Sequence, residues 1–432
     1  MPTSTPAVPE EPYYRDDRVT LLHSDALDQL RTLPDQSVDA VITDPPYGIE
    51  FMGKDWDAPW KTGDRRGIVD ADQWGQGRSN PYSRARTRSG RGDAYRVSSA
   101  ESGQQYQQWC SRWTEEALRL LKPGGHMIAF GGTRTYHRMV CAAEDSGFEI
   151  RDSLHWLYGT GFPKSMDVSK AIDKAAGATR VPTGKAKPGH EQFAGRTTTG
   201  HLIAGEGHDG WTRPWGSSSD ASAYHLATAP ATADAARWEG WGTALSPGHE
   251  PMVLARKPLS GTVAATVLEH GTGALHVAAC RPVGEPAGRW PANVVLSHQP
   301  LVDAVGGVVG DGCADGCASG CAVAALGDRS RYFPAFRYEP KPGAAERGGK
   351  SGKKGSGHPT VKPLALMRWL VRLVTPPGGL VLDPFAGSGT TLLAARGEGM
   401  RAIGIERHEP YAGLSAARLS EPYSVGLFDT AP

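Results

Sequence analysis

Residues 38–47, VDAVITDPPY, leave the backbone few choices. Apolar Val38, Ala40, Val41 and Ile42 predict a buried strand, and the two prolines after them stop both ladder pairing and any helix. Pro45 and Pro46 fix their own φ and lack N–H donors. Asp44 and Tyr47 are therefore expected on a stiff, non-helical tip just past the strand end. The proline nitrogens cannot pair with the carbonyls of Asp44 and Pro45, which stay available to a ligand donor such as a flat NH2-bearing group. Tyr47 adds an aromatic face for stacking. A strand ending in an ordinary turn explains a lone D-P-P-Y equally well, and the far end of the chain separates the two readings.

Residues 18–23 read as another strand, after which Ser24 is expected to cap a short amphipathic helix through Leu27, Leu30 and Leu33, leaving Asp25 at a strand-to-helix edge. Tyr106, Trp109, Cys110, Trp113, Ala117, Leu118 and Leu121 fall on one helical face, closed by Lys-Pro-Gly-Gly. A strand over 126–130, a helix over 134–144 and an alternating strand over 149–158 follow. This succession predicts a doubly wound α/β sheet, whose ligands lie outside the carboxyl ends of the strands.

From Gly159 the pattern loosens for nearly two hundred residues. Two islands stand out, 251–280, with strand-like MVLARKP and TVAATVLEHGTGALHV, and 289–297. Order resumes after HPTVKP with a helix whose apolar face is Leu366, Met367, Leu370, Val371 and Val374. A strand over 380–383, a helix over 390–396 and a strand over 401–405 complete the pattern.

A chain of 432 residues suits two domains, or one of about 250 residues carrying a large insert. Its 55 glycines and 33 prolines predict some long irregular loops. Residues 1–16 carry proline and acid where a signal peptide needs a basic start and an apolar core, and are expected to be a disordered tail. No run of about 18 uncharged apolar residues occurs, so no membrane span is expected. Six cysteines in this length suit a reducing compartment, and the expected location is cytoplasmic. A net charge of +1 does not by itself announce a nucleic-acid partner. Locally, Arg78, Arg84, Arg86, Arg88, Arg91 and Arg96 face only Asp93 in a Ser/Gly-rich stretch, a basic loop over 61–100 that either orders on a phosphate backbone or is merely solvated.

The C-terminal run DPFAGSGTT places a strand, a glycine turn and a helix start in succession, with Glu406 at the tip of the next strand about twenty residues on. Gly387 and Gly389 let backbone approach a ligand, and an acid at that tip can accept both hydroxyls of a ribose. The third glycine of a dinucleotide fingerprint is missing, and no Gly-Lys-Ser/Thr follows to grip a phosphate. An adenosine ligand without a pyrophosphate remains, and S-adenosylmethionine fits.

With D-P-P-Y at 44–47, H-P-T-V-K-P at 358–363 and D-P-F-A-G-S-G-T-T at 383–391, the chain resembles the DNA amino-methyltransferases in the permuted order of the β class. The resemblance covers about residues 17–160 and 355–425. It implies a Rossmann-like, doubly wound, circularly permuted fold that uses S-adenosylmethionine. Residues 17–160 would be its catalytic half, 161–350 a partly irregular target-recognition insert, and 351–432 its cofactor half. It implies Asp44, Pro45, Pro46 and Tyr47 as catalytic. Glu406 would hold the cofactor ribose, Asp25 the adenine amino group, and the backbone around Asp383, Phe385, Gly387, Gly389 and Thr390 the methionine part. His358, Thr360 and Lys362 would complete that pocket, with Lys362 suited to the cofactor carboxylate. The phrases LYGTGFPKSMDVSKAID, HEPMVLARKPLSGTVA and RWPANVV are similar to phage-type DNA methylases and carry no assignable chemistry.

The implied substrate is double-stranded DNA. The reaction is methyl transfer to an exocyclic amine of a flipped base, adenine N6 before cytosine N4, because the Asp form of the motif goes mostly with adenine in that family. A cognate restriction enzyme is either encoded separately or absent. The rival readings are a non-catalytic nucleic-acid-binding protein on the same fold and a methylase of RNA or protein glutamine. The intact motif opposes the first and the motif order the second. Cys313, Cys317 and Cys321 recur every four residues, with His298 and Cys280 upstream. That is not the usual two-residue zinc knuckle, and the expectation is three reduced thiols and no metal.

Overall fold

Val19–His23, Val38–Thr43, Leu380–Asp383 and Arg401–Glu406 are buried over most of their lengths, as strands covered on both faces must be. The computed structural model describes residues 11–48, 99–158, 165–186, 226–282, 290–298, 301–302, 308–309, 317, 321–336 and 361–421. The basic loop, His358, Thr360 and Cys313 therefore lie outside the described residues.

In chain order the strands of the main sheet are β1 (Tyr14–Arg15), β2 (Val19–His23), β3 (Val38–Thr43), β4 (Leu121–Phe130), β5 (Glu149–Leu157), β6 (His249–Arg256), β7 (Val294–Ser297), β8 (Ala335–Phe336), β9 (Leu380–Asp383) and β10 (Arg401–Glu406). Helices α1 (Ala26–Thr32), α2 (Ser99–Leu120), α3 (Tyr136–Asp145), α4 (Val263–His270), α5 (Leu364–Val374), α6 (Thr390–Gly397) and α7 (Glu409–Ser420) accompany them. Across the sheet the order is β1-β2-β10-β9-β3-β4-β6-β5-β7-β8. Strands β2, β10, β9, β3 and β4 are parallel, whereas β6 runs antiparallel to both of its neighbours. The chain winds away in one direction from β3 and in the other from β9, so the switch point lies between these two. This is a doubly wound, Rossmann-like α/β fold.

The apolar stripe of α5 is buried as its spacing predicts and packs with Ile42 and Val381 on one face of the sheet. Trp109, Trp113 and Ala117 of α2 cover the other face with Met127 and Leu382. Asp39 is the buried carboxylate of β3; it accepts from Lys122 Nζ at 2.6 Å and from the Leu380 amide at 2.7 Å, which clamps β4 and β9 to β3.

Three local expectations are corrected. The cap of α1 is Asp25, whose Oδ1 accepts the Leu27 amide at 3.0 Å, because the Ser24 amide is committed to the Glu406 carbonyl. Lys-Pro-Gly-Gly does not stand between helix and strand but lies inside β4, where a register shift against β3 absorbs it. Gly124, at φ +77°, turns its amide to the carbonyls of Lys257 and Pro258. The stretch read as strand-like after Thr262 is the helix α4. Thr262 Oγ1 caps it through the Ala265 amide at 3.1 Å and Gly271 ends it at φ +75°, so local capping overrides β-branched propensity.

The chain divides into two compact units, residues 1–70, 88–160 and 248–432 in one and 71–87 with 161–247 in the other. Within 161–350, the residues from Gly248 on belong to the first unit and supply β6, β7 and β8 to the main sheet. The run MVLAR is buried along its length and suits a central strand. The second unit holds the antiparallel pair Val181–Ala186 and Leu226–Ala229 and the helix Val168–Ala175. Its buried Asp173 accepts from Arg180 Nη1 at 2.8 Å and from the amides of Ala231 and Thr232 at 3.0 Å. Among the described residues no helix is long and apolar enough to cross a membrane.

Candidate active site

Strands β3, β9 and β10 deliver Asp44, Asp383 and Glu406 to the same edge of the sheet, because all three run parallel and each residue ends or follows its strand. Asp44 leaves the ladder where Pro45 begins. Its Oδ1 accepts from Tyr47 Oη at 2.8 Å, and its Oδ2 receives Lys362 Nζ at 2.6 Å. Lys362 also meets Glu250 Oε2 at 3.0 Å and donates to Tyr47 Oη at 3.1 Å. The Lys362 side chain is 7 % exposed, and its ammonium sits 4.8 Å over the Phe130 ring. Burial alone would lower its pKa, but the charges of Asp44 and Glu250 outweigh desolvation and raise it, so Lys362 remains a cation. Burial, reinforced by the same two carboxylates, pushes the Tyr47 phenol well up, and it stays neutral.

The tip itself is braced. Tyr106 Oη of α2 donates to the Pro46 carbonyl at 3.2 Å, and Thr135 Oγ1 donates to the Tyr47 carbonyl at 2.5 Å. Pro45 is buried, and among the described residues nothing donates to its carbonyl.

Next to this corner lies the glycine turn between β9 and α6. Gly387 and Gly389 have φ of +52° and +77°. A Cβ on Gly389 would stand 2.2 Å from Ser415 Oγ of α7. Gly389→Ala should therefore combine left-handed strain with a clash, roughly 2–4 kcal/mol together. Denaturant unfolding checks this, with Ser415→Gly in the same chain recovering the steric part. Phe385 turns its ring into the aromatic group of Trp109 and Trp113, centroids 5.5 and 5.7 Å away, and leaves its backbone to the turn.

Glu406 Oε2 accepts the Gly387 amide at 2.8 Å and Oε1 the His408 amide at 2.7 Å. Desolvation raises its pKa against those two donors. Each oxygen retains a lone pair, so the carboxylate can still accept a diol. Asp25 caps α1 with one oxygen and holds the other 3.7 Å from Arg407 Nη1. A ribose acceptor, a small-residue turn and no lysine in that turn make a donor set that fits an adenosine ligand lacking a pyrophosphate.

Asp383 is buried at the floor. Its Oδ1 accepts from Thr43 Oγ1 at 2.7 Å and the Phe385 amide at 3.1 Å. Desolvation, with the Asp44 charge adding to it, lifts its pKa from 3.8 to about 6 despite these donors. A raised carboxyl pKa means the folded chain holds the proton more tightly than the unfolded one. The stabilisation is complete below pH 3.8 and is lost as pH rises through about 6. Asp383→Asn should thus be more stable than the parent at pH 7.5, by roughly 3 kcal/mol at most, and the advantage should shrink by about half at pH 5. Urea unfolding at both pH values checks the sign; an advantage that grows toward acid contradicts it.

Sequence reasoning missed Glu250. The carboxylate precedes the apolar run of β6 in the phrase HEPMVLAR, yet no local signal says that β6 pairs with β4 and turns this residue toward Tyr47. Tyr158, whose pKa burial and the nearby Glu250 lift to about 12, belongs to the same neighbourhood. Lys362, which the resemblance assigned to the cofactor carboxylate, has its ammonium in the Asp44–Glu250 pair.

Residues 38–175 and 245–417 match a family model, N6_N4_Mtase, described as DNA methylase. The type II methyltransferase M.HindIII of Haemophilus influenzae is 24% identical over 405 residues, 92% of this chain and 94% of that protein. The type II methyltransferase M.ScaI of Streptomyces caespitosus is 39% identical over 70 residues, 16% of this chain and 23% of that one. Among solved structures, the cytosine-N4-specific PvuII DNA methyltransferase aligns with a TM-score of 0.47 and 14% identity, covering 97% of this chain and 92% of that one. The matched segments begin at the D-P-P-Y strand and run beyond Glu406, and the chain belongs to the N6/N4 DNA methylase family.

Proposed function

We propose that the chain transfers a methyl group from S-adenosylmethionine to the N6 amine of an adenine flipped out of double-stranded DNA. The observation that carries this reading is Asp44, fixed at the switch point by Lys362 and Tyr47 beside a glycine turn and a strand-tip glutamate. When bound, S-adenosylmethionine supplies an electrophilic methyl on a sulfonium. Glu406 would hold its ribose, Asp25 its adenine, and the turn from Asp383 to Thr390 its methionine part.

An exocyclic amine has its lone pair delocalised into the ring and is a poor nucleophile. Asp44 and the Pro45 carbonyl each accept one N–H of the amine, drawing the nitrogen toward a tetrahedral shape with its lone pair directed at the methyl group. No covalent enzyme nucleophile is involved. Lys362 and Tyr47 hold the Asp44 carboxylate in one orientation, and its remaining lone pairs receive the substrate. The surplus proton leaves to solvent after transfer. Flipping the base costs a few kcal/mol, of which stacking on Tyr47 offsets roughly 1–3 kcal/mol.

Adenine is favoured over cytosine by the Asp form of the motif. Incubating methyl-free DNA with the protein and S-adenosylmethionine, then digesting it for nucleoside mass spectrometry, tests the whole reading. N6-methyladenine is the expected product. N4-methylcytosine would overturn the choice of base, and no methylated nucleoside despite measured cofactor binding would overturn the reaction.

A further inference from the structure

We propose that His298, Cys317 and Cys321 form a structural zinc site at the edge of the main sheet. One donor atom from each residue lies within 4.8 Å of the other two, and Cys317 Sγ is 3.9 Å from His298 Nδ1. Tetrahedral zinc with sulfur at 2.3 Å and nitrogen at 2.0–2.1 Å separates its ligands by about 3.5–3.8 Å, so small side-chain adjustments bring these three donors onto one ion, whose fourth position takes a further donor. The sequence pattern did not favour this, because the C-x3-C spacing is looser than a two-residue knuckle and the histidine lies nineteen residues upstream. The fold supplies the missing proximity.

His298 directly follows β7, and its amide is tied to the Phe336 carbonyl of β8 at 2.8 Å. Cys321 is buried directly before the short helix Ala322–Leu326, and its sulfur accepts the Ala324 amide at 3.5 Å. A backbone donor on sulfur is the kind of outer support that favours a thiolate ligand. Two thiolates and an imidazole are soft donors that select zinc over calcium or magnesium. The packing explains what the metal does. Among the described residues, Leu296 of β7, Cys321 and Val323 form a small apolar cluster with a few partly buried neighbours, separate from the two large clusters of the main sheet. A cluster this small contributes little by burial, and small folded pieces of this kind gain stability from metal ligation. Zinc here would pin Cys317 and Cys321 to the end of β7. Cys280 is not a ligand in this arrangement, since it is buried against Trp369, to whose carbonyl its thiol donates at 3.7 Å.

The test is metal analysis of the full chain, purified without a metal-affinity step and passed through metal-free buffer. About one zinc per chain is expected, with tetrahedral visible absorption and sulfur charge-transfer bands when cobalt replaces it. His298→Ala and Cys321→Ser should weaken zinc retention against a chelator roughly 100-fold or more, whereas Cys141→Ser, on the exposed face of α3, should retain it. If the Cys321 variant does not fold, His298→Ala and the cobalt spectrum of the native chain decide. Zinc below about one-tenth per chain after growth in zinc-supplemented medium would overturn the proposal. So would full zinc retained by both ligand variants, or a Cys317–Cys321 disulfide in the native chain.

Discussion

Asp44→Ala is expected to lower single-turnover methyl transfer about 1000-fold or more while leaving S-adenosylmethionine binding and folding nearly unchanged. The separation follows from the geometry. Lys362 keeps Glu250 at 3.0 Å when Asp44 is truncated, so its ammonium is not stranded, and Tyr47 Oη can turn to Glu250 Oε2 at 3.2 Å. What would be lost, on the proposed reading, is the acceptor that orients the amine. Rate and cofactor affinity measured on the same preparation check it. Activity within tenfold of the parent would assign the acceptor role elsewhere.

Lys362→Met should do the opposite and act first on stability. It leaves Asp44 and Glu250, each about one-fifth exposed, facing one another without the cation between them. Breaking a buried ion pair from one side costs about 3–5 kcal/mol, because the orphaned charge remains desolvated. Urea unfolding at pH 8 should show that loss. Adding Glu250→Gln should recover a substantial part of it, a non-additivity that a double-mutant cycle measures. Equal losses in the two backgrounds would mean that Lys362 acts through packing alone.

The parts of the site that sequence made legible are those written into one short stretch. D-P-P-Y announces its own geometry, since two prolines allow little else, and the glycines of the second motif sit where positive φ is needed. The strands carrying Asp383 and Glu406 were readable because strands buried on both faces are continuous apolar runs. Glu250 was not readable, because its role depends on β6 entering the sheet antiparallel between β4 and β5, a pairing set by tertiary packing. The helix α4 was misread for a related reason. Its valines and threonines fit a strand by propensity, and only the caps at Thr262 and Gly271 decide otherwise. For Lys362 the motif identified the residue but not the direction of its side chain, which follows from where α5 begins relative to β3.

The place of β9 and β10 in the sheet also governs the order in which the molecule can be made. These strands separate β2 from β3, although both of the latter emerge from the ribosome more than 330 residues earlier. Until the last strands arrive, β2 and β3 have no shared neighbour and the buried Asp39 has no Leu380 amide to accept. The D-P-P-Y tip therefore stands on an unfinished sheet edge until residues 380–406 are made. Such a dependence on very distant contacts makes folding slow.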